Sequence, residues 1–206
     1  MTKTGKQKVI AVLLIILCLS IVPILSLVNN FSLDNKTSYG IYSNNSQVVQ
    51  FDWFDYTSKE HHFPGDSDSL TYMFLGFLSC SEVCSVRVQQ MALLEKKIAK
   101  DPQLSTQKIK FMFVSIDPEN DTPDLRRQII DMRSPRFTSA VLNSEHLSRL
   151  NRQLGEKINR NLADINHVGK LFLLSKTGKV ERIYTANQLS TQAMFNELQH
   201  YLFPNT

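Results

Sequence analysis

Leu70-Thr-Tyr-Met-Phe-Leu-Gly-Phe-Leu-Ser-Cys80-Ser-Glu-Val-Cys84-Ser85 is the stretch on which the fold turns. Its first eight residues, Leu70 to Phe77, are almost unbroken in apolar character, as in a strand buried on both faces. Glu82 to Lys100 follows, with Val83, Val86, Met91, Leu94 and Ile98 at roughly helical spacing. Two cysteines therefore sit where a buried strand gives way to a helix. The ends of strands are where open α/β sheets carry their sites.

Working outward, strands and helices keep alternating. Lys110 to Ile116 reads as a second buried strand, ending at Asp117-Pro118. Thr122 and Pro123 have the character of a helix N-cap and first position, with the helix reaching about Arg133. Phe137 to Leu142 is a short strand and Glu145 to Gly155 a helix. Lys170 to Leu174 and Val180 to Tyr184 form a hairpin about Lys176-Thr-Gly-Lys, and Leu189 to Leu202 closes the chain as a helix. Upstream, Val48 to Tyr56 has the rough alternation of a strand, and His61-His62-Phe-Pro-Gly-Asp reads as a turn. The order predicts an α/β domain over 48–206, thioredoxin-like, with a mixed sheet between helices.

The amino-terminal part has another composition. Val9 to Val28 is twenty residues without a charge, enough at about 1.5 Å rise per residue to span a bilayer core of roughly 30 Å. A cleaved signal peptide would have a shorter apolar region and a small-x-small end, and Ile24-Leu25-Ser26 supplies only one small residue. Leu17 before Cys18 argues similarly against a lipoprotein. The expectation is an uncleaved transmembrane anchor over 9–28, a basic cytoplasmic flank over 1–8, and a polar Asn- and Ser-rich linker over 29–47. Lys3, Lys6 and Lys8 place the flank in the cytoplasm and the domain outside. No Arg- and Ser-rich transit segment precedes the anchor, which favours a bacterial inner membrane. Without those three lysines the net charge of +4 falls to +1, so the basic balance gives no reason to expect a nucleic-acid partner.

Outside the cytoplasm, Cys80 and Cys84 would be the two cysteines able to form and keep a disulfide. Unpaired N–H groups and the dipole at a helix start stabilise a thiolate. An i, i+4 spacing puts both sulfurs on one face. The pair could close a disulfide or chelate one soft metal ion. A purely structural bridge is the poorer reading, since so small a loop stabilises a fold weakly. His167, in Ile165-Asn-His-Val-Gly-Lys, precedes the Leu171 to Leu174 strand. Thioredoxins carry a cis-proline on that loop, and here there is none. An imidazole and two thiolates make a reasonable three-coordinate set for copper, though on spacing alone a loop histidine without a ligand role is the better reading. His61 and His62 could hint at metal but suit a solvated turn, and His146 and His200 look ordinary. Asp117 and Asp121 read as turn and helix-start caps.

Three stretches together carry a resemblance: Met73 to Cys84, then Val114-Ser-Ile-Asp-Pro-Glu-Asn-Asp-Thr-Pro123, then Asn166-His167 ahead of a strand. From about Phe51 to Phe203 the chain resembles the SCO/SenC family, membrane-anchored copper-binding proteins of thioredoxin fold that help assemble the dinuclear copper centre of cytochrome c oxidase. The resemblance implies copper as the bound metal, with Cys80, Cys84 and His167 as ligands. It implies the oxidase copper subunit or another cuproprotein as partner, and leaves the copper donor unnamed. Where the family usually shows Cys-Pro-Asp-x-Cys-Pro, this chain has Ser81, Glu82 and Ser85, and Asn166 stands where Asp commonly precedes the histidine. Two functions follow as expectations: a copper chaperone, and a thiol–disulfide oxidoreductase that reduces partner cysteines through Cys80 and Cys84 before metal insertion.

Overall fold

The computed structural model describes residues 39–43, 48–65, 68–156 and 169–204. The expected flank and anchor over 1–28, and His167, lie outside them. Among the described residues no helix is long and apolar enough to cross a membrane. The strands are β1 (Ile41–Tyr42), β2 (Phe51–Phe54), β3 (Glu60–Phe63), β4 (Leu70–Gly76), β5 (Ile109–Ser115), β6 (Phe137–Val141), β7 (Leu171–Leu174) and β8 (Val180–Tyr184). The helices are α1 (Val83–Lys100), α2 (Pro123–Ile129), α3 (Ser144–Leu154) and α4 (Thr191–Leu202).

Among the described residues, eight strands join one sheet in the order β1-β8-β7-β4-β5-β6-β2-β3. The centre, β4-β5-β6, is parallel, and the strands on either side run antiparallel. This is the mixed, thioredoxin-like α/β sheet that the sequence predicts. Strand pleating explains why β7 and the middles of β4 and β5 can be apolar throughout: successive side chains enter opposite layers. Tyr72, Phe74, Phe111, Phe113, Leu171 and Leu173 point into one core, with Val88, Met91, Leu94 and Ile98 of α1 and Met194 and Leu198 of α4. Met73, Leu75, Met112, Val114, Phe172 and Leu174 point into the other, with Leu147, Leu150 and Leu154 of α3. Each large apolar side chain fully buried this way contributes about 1.5–3 kcal/mol relative to exposure, so both helical layers are held mainly by these stripes.

The helix boundaries follow local chemistry. Thr122 Oγ1 accepts the Leu125 N–H at 3.3 Å, with Pro123 at the first helical position. Asn143 caps α3 by accepting the His146 N–H at 2.8 Å, and Gly155 ends it in the left-handed conformation, φ 61°. The stretch expected to be helical to Arg133 instead leaves α2 at Ile129 and finishes in a short 3-10 turn, Asp131–Arg133.

Two expectations are corrected. His61 and His62 are not in a turn: they lie in β3, paired with Trp53 and Asp52 of β2. An edge strand faces solvent along one side, so polar residues are at home there, and composition alone mistook the edge for a turn. Ile41–Tyr42, within the stretch read as linker, pairs with Ile183 and Arg182 of β8. Buried Glu197 of α4 secures it: its carboxylate accepts the Gly40 N–H at 3.0 Å, Arg182 Nε at 3.2 Å and the Tyr184 hydroxyl at 2.6 Å. The Arg182 guanidinium lies 3.6 Å from the centre of the Tyr42 ring. A carboxylate 157 residues beyond Gly40 holds these few residues, so their own composition could not announce a strand.

Candidate functional site

Strand β4 delivers the chain to the cysteines at the carboxyl end of the parallel strands, in the middle of the sheet. Gly76 is its last residue, and an added Cβ there would stand 2.6 Å from Phe74 Cε1 and 3.2 Å from Cys84 Sγ. A residue without a side chain is what lets the first turn of α1 lie this close over β4. Cys84, on α1, is buried, whereas Cys80, in the turn before it, is half-buried; both are free thiols. Beneath Cys84 is a small recess of about 210 Å³ whose walls include Phe77, Leu78, Val88, Phe113 and Arg133.

The α1 start explains why the two thiols differ. No side chain caps the helix at Glu82, so its leading N–H groups lack the usual oxygen acceptor. Burial alone would push the Cys80 thiol up, but the N–H groups of Cys84, Glu82 and Val83, with the Cys84 thiol, turn to its sulfur and bring it below the ordinary cysteine value. The Cys80 sulfur thus does the work of a cap. Burial pushes the Cys84 thiol up to about 12, against the opposing Phe77 N–H; Cys80 and the Asp121 carboxylate add to the rise. One sulfur is accessible and thiolate-prone, the other buried and protonated. Ser85, where the resemblance would have a proline, ties the turn back on itself: its hydroxyl donates to Ser81 O at 2.9 Å and Glu82 O at 3.0 Å.

Asp121 is not the helix-start cap its position suggests. It is 1% exposed. One carboxylate oxygen accepts the Leu78 N–H at 2.9 Å and the other the Ser115 hydroxyl at 2.6 Å. It therefore fixes the end of β5 to the loop that carries Cys80. Burial raises its pKa, against the Ser115 and Leu78 hydrogen bonds. Asp117 keeps its turn role, accepting from the Asn120 amide at 2.8 Å. The signal that could have separated the two was the Ser115-x-x-x-x-x-Asp121 spacing at a strand end, but nothing local says that Leu78 lies across from it.

His167 and Asn166 fall among residues 157–168, outside the described residues. The chain is described again from Gly169, whose φ is +67° and whose added Cβ would stand 2.1 Å from Val83 Cγ1. The approach to β7 thus lies directly against the first turn of α1. Three of the other histidines are bound elsewhere. His61 Nε2 meets Asp55 at 2.9 Å and its ring stacks on Trp53, and His62 Nδ1 meets Asp52 at 2.7 Å. His146 Nδ1 accepts the Asp52 N–H at 3.1 Å. Among the described residues no group of three or more His, Cys, Asp and Glu side chains could hold a metal ion. What they do provide is two soft thiols one helical turn apart, able to close a disulfide or to bind a soft cation such as Cu(I).

A family model described as SCO1/SenC matches residues 49–203. The fold is similar to that of Arabidopsis thaliana ScoI with copper bound (TM-score 0.64, 17% identity, covering 75% of this chain and 99% of that one). It is similar to apo Sco1 from Thermus thermophilus (TM-score 0.63, 20% identity, 79% and 96%). A third likeness is BsSco, described as having a disulfide switch and belonging to the Sco family of cytochrome c oxidase assembly proteins (TM-score 0.61, 17% identity, 79% and 96%). No curated protein sequence matches this chain.

Proposed function

The chain belongs to the SCO1/SenC family, and from that premise we propose that it is a copper chaperone that carries Cu(I) on Cys80, Cys84 and His167 to the dinuclear copper centre of cytochrome c oxidase. The observation that carries this reading is the pair of free thiols at the start of α1, Cys80 in the turn before it and Cys84 on its first turn, at the carboxyl edge of a family-typical sheet. Thiolates select Cu(I) over harder cations, and a third, imidazole ligand completes a trigonal set. Copper-bound relatives of the same fold support the choice of metal, and the description of BsSco supports the destination. Residues 9–28 would hold the domain at the outer face of a bacterial inner membrane.

In this reading the chain's own groups perform three tasks. Cys80, the more acidic thiol, meets the incoming ion first. Cys84 gives up its proton as it ligates, since only the deprotonated thiol binds well, so loading releases protons and is strongest at higher pH. Asp121 and Ser85 hold the loop and the first helical turn, so the two sulfurs keep one spacing.

Titration of the reduced full-length protein with Cu(I) against a competing chelator tests this. One ion per chain is expected, with affinity falling in His167→Ala and binding lost in Cys80→Ser and Cys84→Ser. Binding that is indifferent to His167 would sink the three-ligand site.

One observation favours a second reading. An accessible low-pKa thiol beside a buried high-pKa one is the arrangement of an attacking and a resolving cysteine in thiol–disulfide exchange. As an oxidoreductase, the Cys80 thiolate would attack a partner disulfide and Cys84 would displace the partner, ending as a Cys80–Cys84 disulfide with two electrons passed on. A Cys84→Ser variant that traps no mixed disulfide with an oxidised copper-site peptide would count against it.

A further inference from the structure

A second recess lies at the other end of the parallel strands from the cysteines. It opens over the sheet at the second residue of three neighbouring strands, Thr71 of β4, Lys110 of β5 and Thr138 of β6. Trp53, Phe63 and Pro64 give it aromatic and apolar walls, and Lys176 enters from the β7–β8 turn. That turn packs against the proline: a Cβ added at Gly178 would stand 3.4 Å from Pro64 Cδ. The space is about 450 Å³, within the roughly 300–1,000 Å³ of small-molecule sites.

Its charges have one sign. No carboxylate lines the recess, whereas His61, His62, Lys110 and Lys176 all do. Three of these already face an acid outside it: His61 meets Asp55 at 2.9 Å, His62 meets Asp52 at 2.7 Å and Lys176 meets Asp68 at 2.9 Å. Lys110 is different. Its Nζ donates to Pro135 O at 3.1 Å and has no carboxylate partner among the described residues. A carbonyl takes one of the three ammonium donors and leaves the charge without a counterion. Trp53 adds a second unmet group. Its ring is held by stacking on His61, with centroids 4.4 Å apart. Its Nε1–H is buried with no hydrogen-bond partner among the described residues, although a buried indole N–H usually finds one.

We propose that this recess binds a small organic anion with a flat apolar body, of the aromatic carboxylate class. Lys110 holds the charged head, the Trp53 N–H is its second donor, and Phe63, Pro64 and Met112 receive the apolar body. The site is separate from the thiols and does not rest on the copper reading.

The test uses benzoate as the probe in the full-length protein. Trp53 is the chain's single tryptophan, so emission excited where benzoate does not absorb reports on the recess itself. A saturable change with Kd of about 1 mM or tighter is expected, the range open to so small a ligand. Benzamide has the shape without the charge, and acetate the charge without the ring; each is expected to bind about 10-fold more weakly or worse. Lys110→Met keeps the aliphatic stem and is expected to weaken benzoate about 10-fold while leaving benzamide within about twofold, and Lys110→Arg is expected to restore benzoate. If Lys110→Met does not fold, the three probes on the unaltered protein decide. Absence of a saturable Trp53 response, benzamide binding as tightly as benzoate, or a folded Lys110→Met that binds benzoate as the parent does would each overturn the proposal. Calorimetric binding of benzoate that leaves Trp53 emission unchanged would place the anion elsewhere and overturn it too.

Discussion

Replacing Gly169 by alanine tests the contact between the β7 loop and the cysteine helix without touching a thiol. Two costs are separable in the structure. At φ +67° a Cβ crowds its own backbone, worth roughly 1–2 kcal/mol. That same Cβ would stand 2.1 Å from Val83 Cγ1, well inside contact distance, and overpacking of this kind costs about 1–3 kcal/mol. Gly169→Ala should therefore lose about 3 kcal/mol, which for a domain of this size lowers Tm by about 10 °C. The chain has one tryptophan, Trp53, buried on β2, so urea unfolding can be followed by its fluorescence. In a Val83→Ala background the γ-carbon responsible for the overlap is gone, and Gly169→Ala should then cost only the backbone part, about 1–2 kcal/mol. A cost of Gly169→Ala that is the same in both backgrounds would refute the steric part of this reasoning. A cost below about 0.5 kcal/mol in the unaltered background would refute both parts.

The remaining predictions concern the thiols, the edge strand and an acidic group on the β2–β3 hairpin. Iodoacetamide at pH 7.5, read by peptide mass spectrometry, should label Cys80 well before Cys84, because N–H donors lower the first and burial raises the second to about 12; comparable labelling of both in the native protein would contradict the assignment. Glu197→Ala leaves Arg182 buried without its carboxylate and removes the acceptor of the Gly40 N–H, and should destabilise by about 3–5 kcal/mol in urea unfolding. Hydrogen exchange should show faster amides at residues 40–42 in any folded fraction. Asp55 is held down to about 2: burial works against this, but the Thr57 hydroxyl, His61 and the Lys59 and Thr57 N–H groups outweigh it. Since its folded value lies below the unfolded 3.8, its contribution, roughly 1 kcal/mol once solvent screening is allowed for, is whole above pH 4 and fades as pH falls toward 2. Asp55→Asn should therefore be less stable than the parent at pH 7, with the gap closing between pH 4 and pH 2; a gap that does not change with pH would count against the linkage.

Much of the site was readable along the chain. The apolar run to Phe77, the helical stripe from Val83 and the two cysteines between them are all local patterns, and the structure has them as a buried strand, a helix and a pair of thiols at the junction. What spacing could not show is that the thiols are unlike. Their difference comes from the uncapped N–H groups around one sulfur and the burial of the other over Gly76. Asp121 was misread for the same reason, since its partner, the Leu78 N–H, is 43 residues away.

The sequence by itself determined the central elements and their order, because periods of two and 3.6 in apolar residues dictate which segments can bury a face, and Thr122, Gly155 and Gly178 mark where several of them start or stop. Only the tertiary structure decided that His61 and His62 form an edge strand, that residues 41–42 join the sheet, and that Arg87 reaches Gly169 across 82 residues. Those outcomes depend on which segments meet after the chain has closed on itself. A polar side chain takes its role from the oxygen or N–H group it finds there, and local patterning does not encode that meeting.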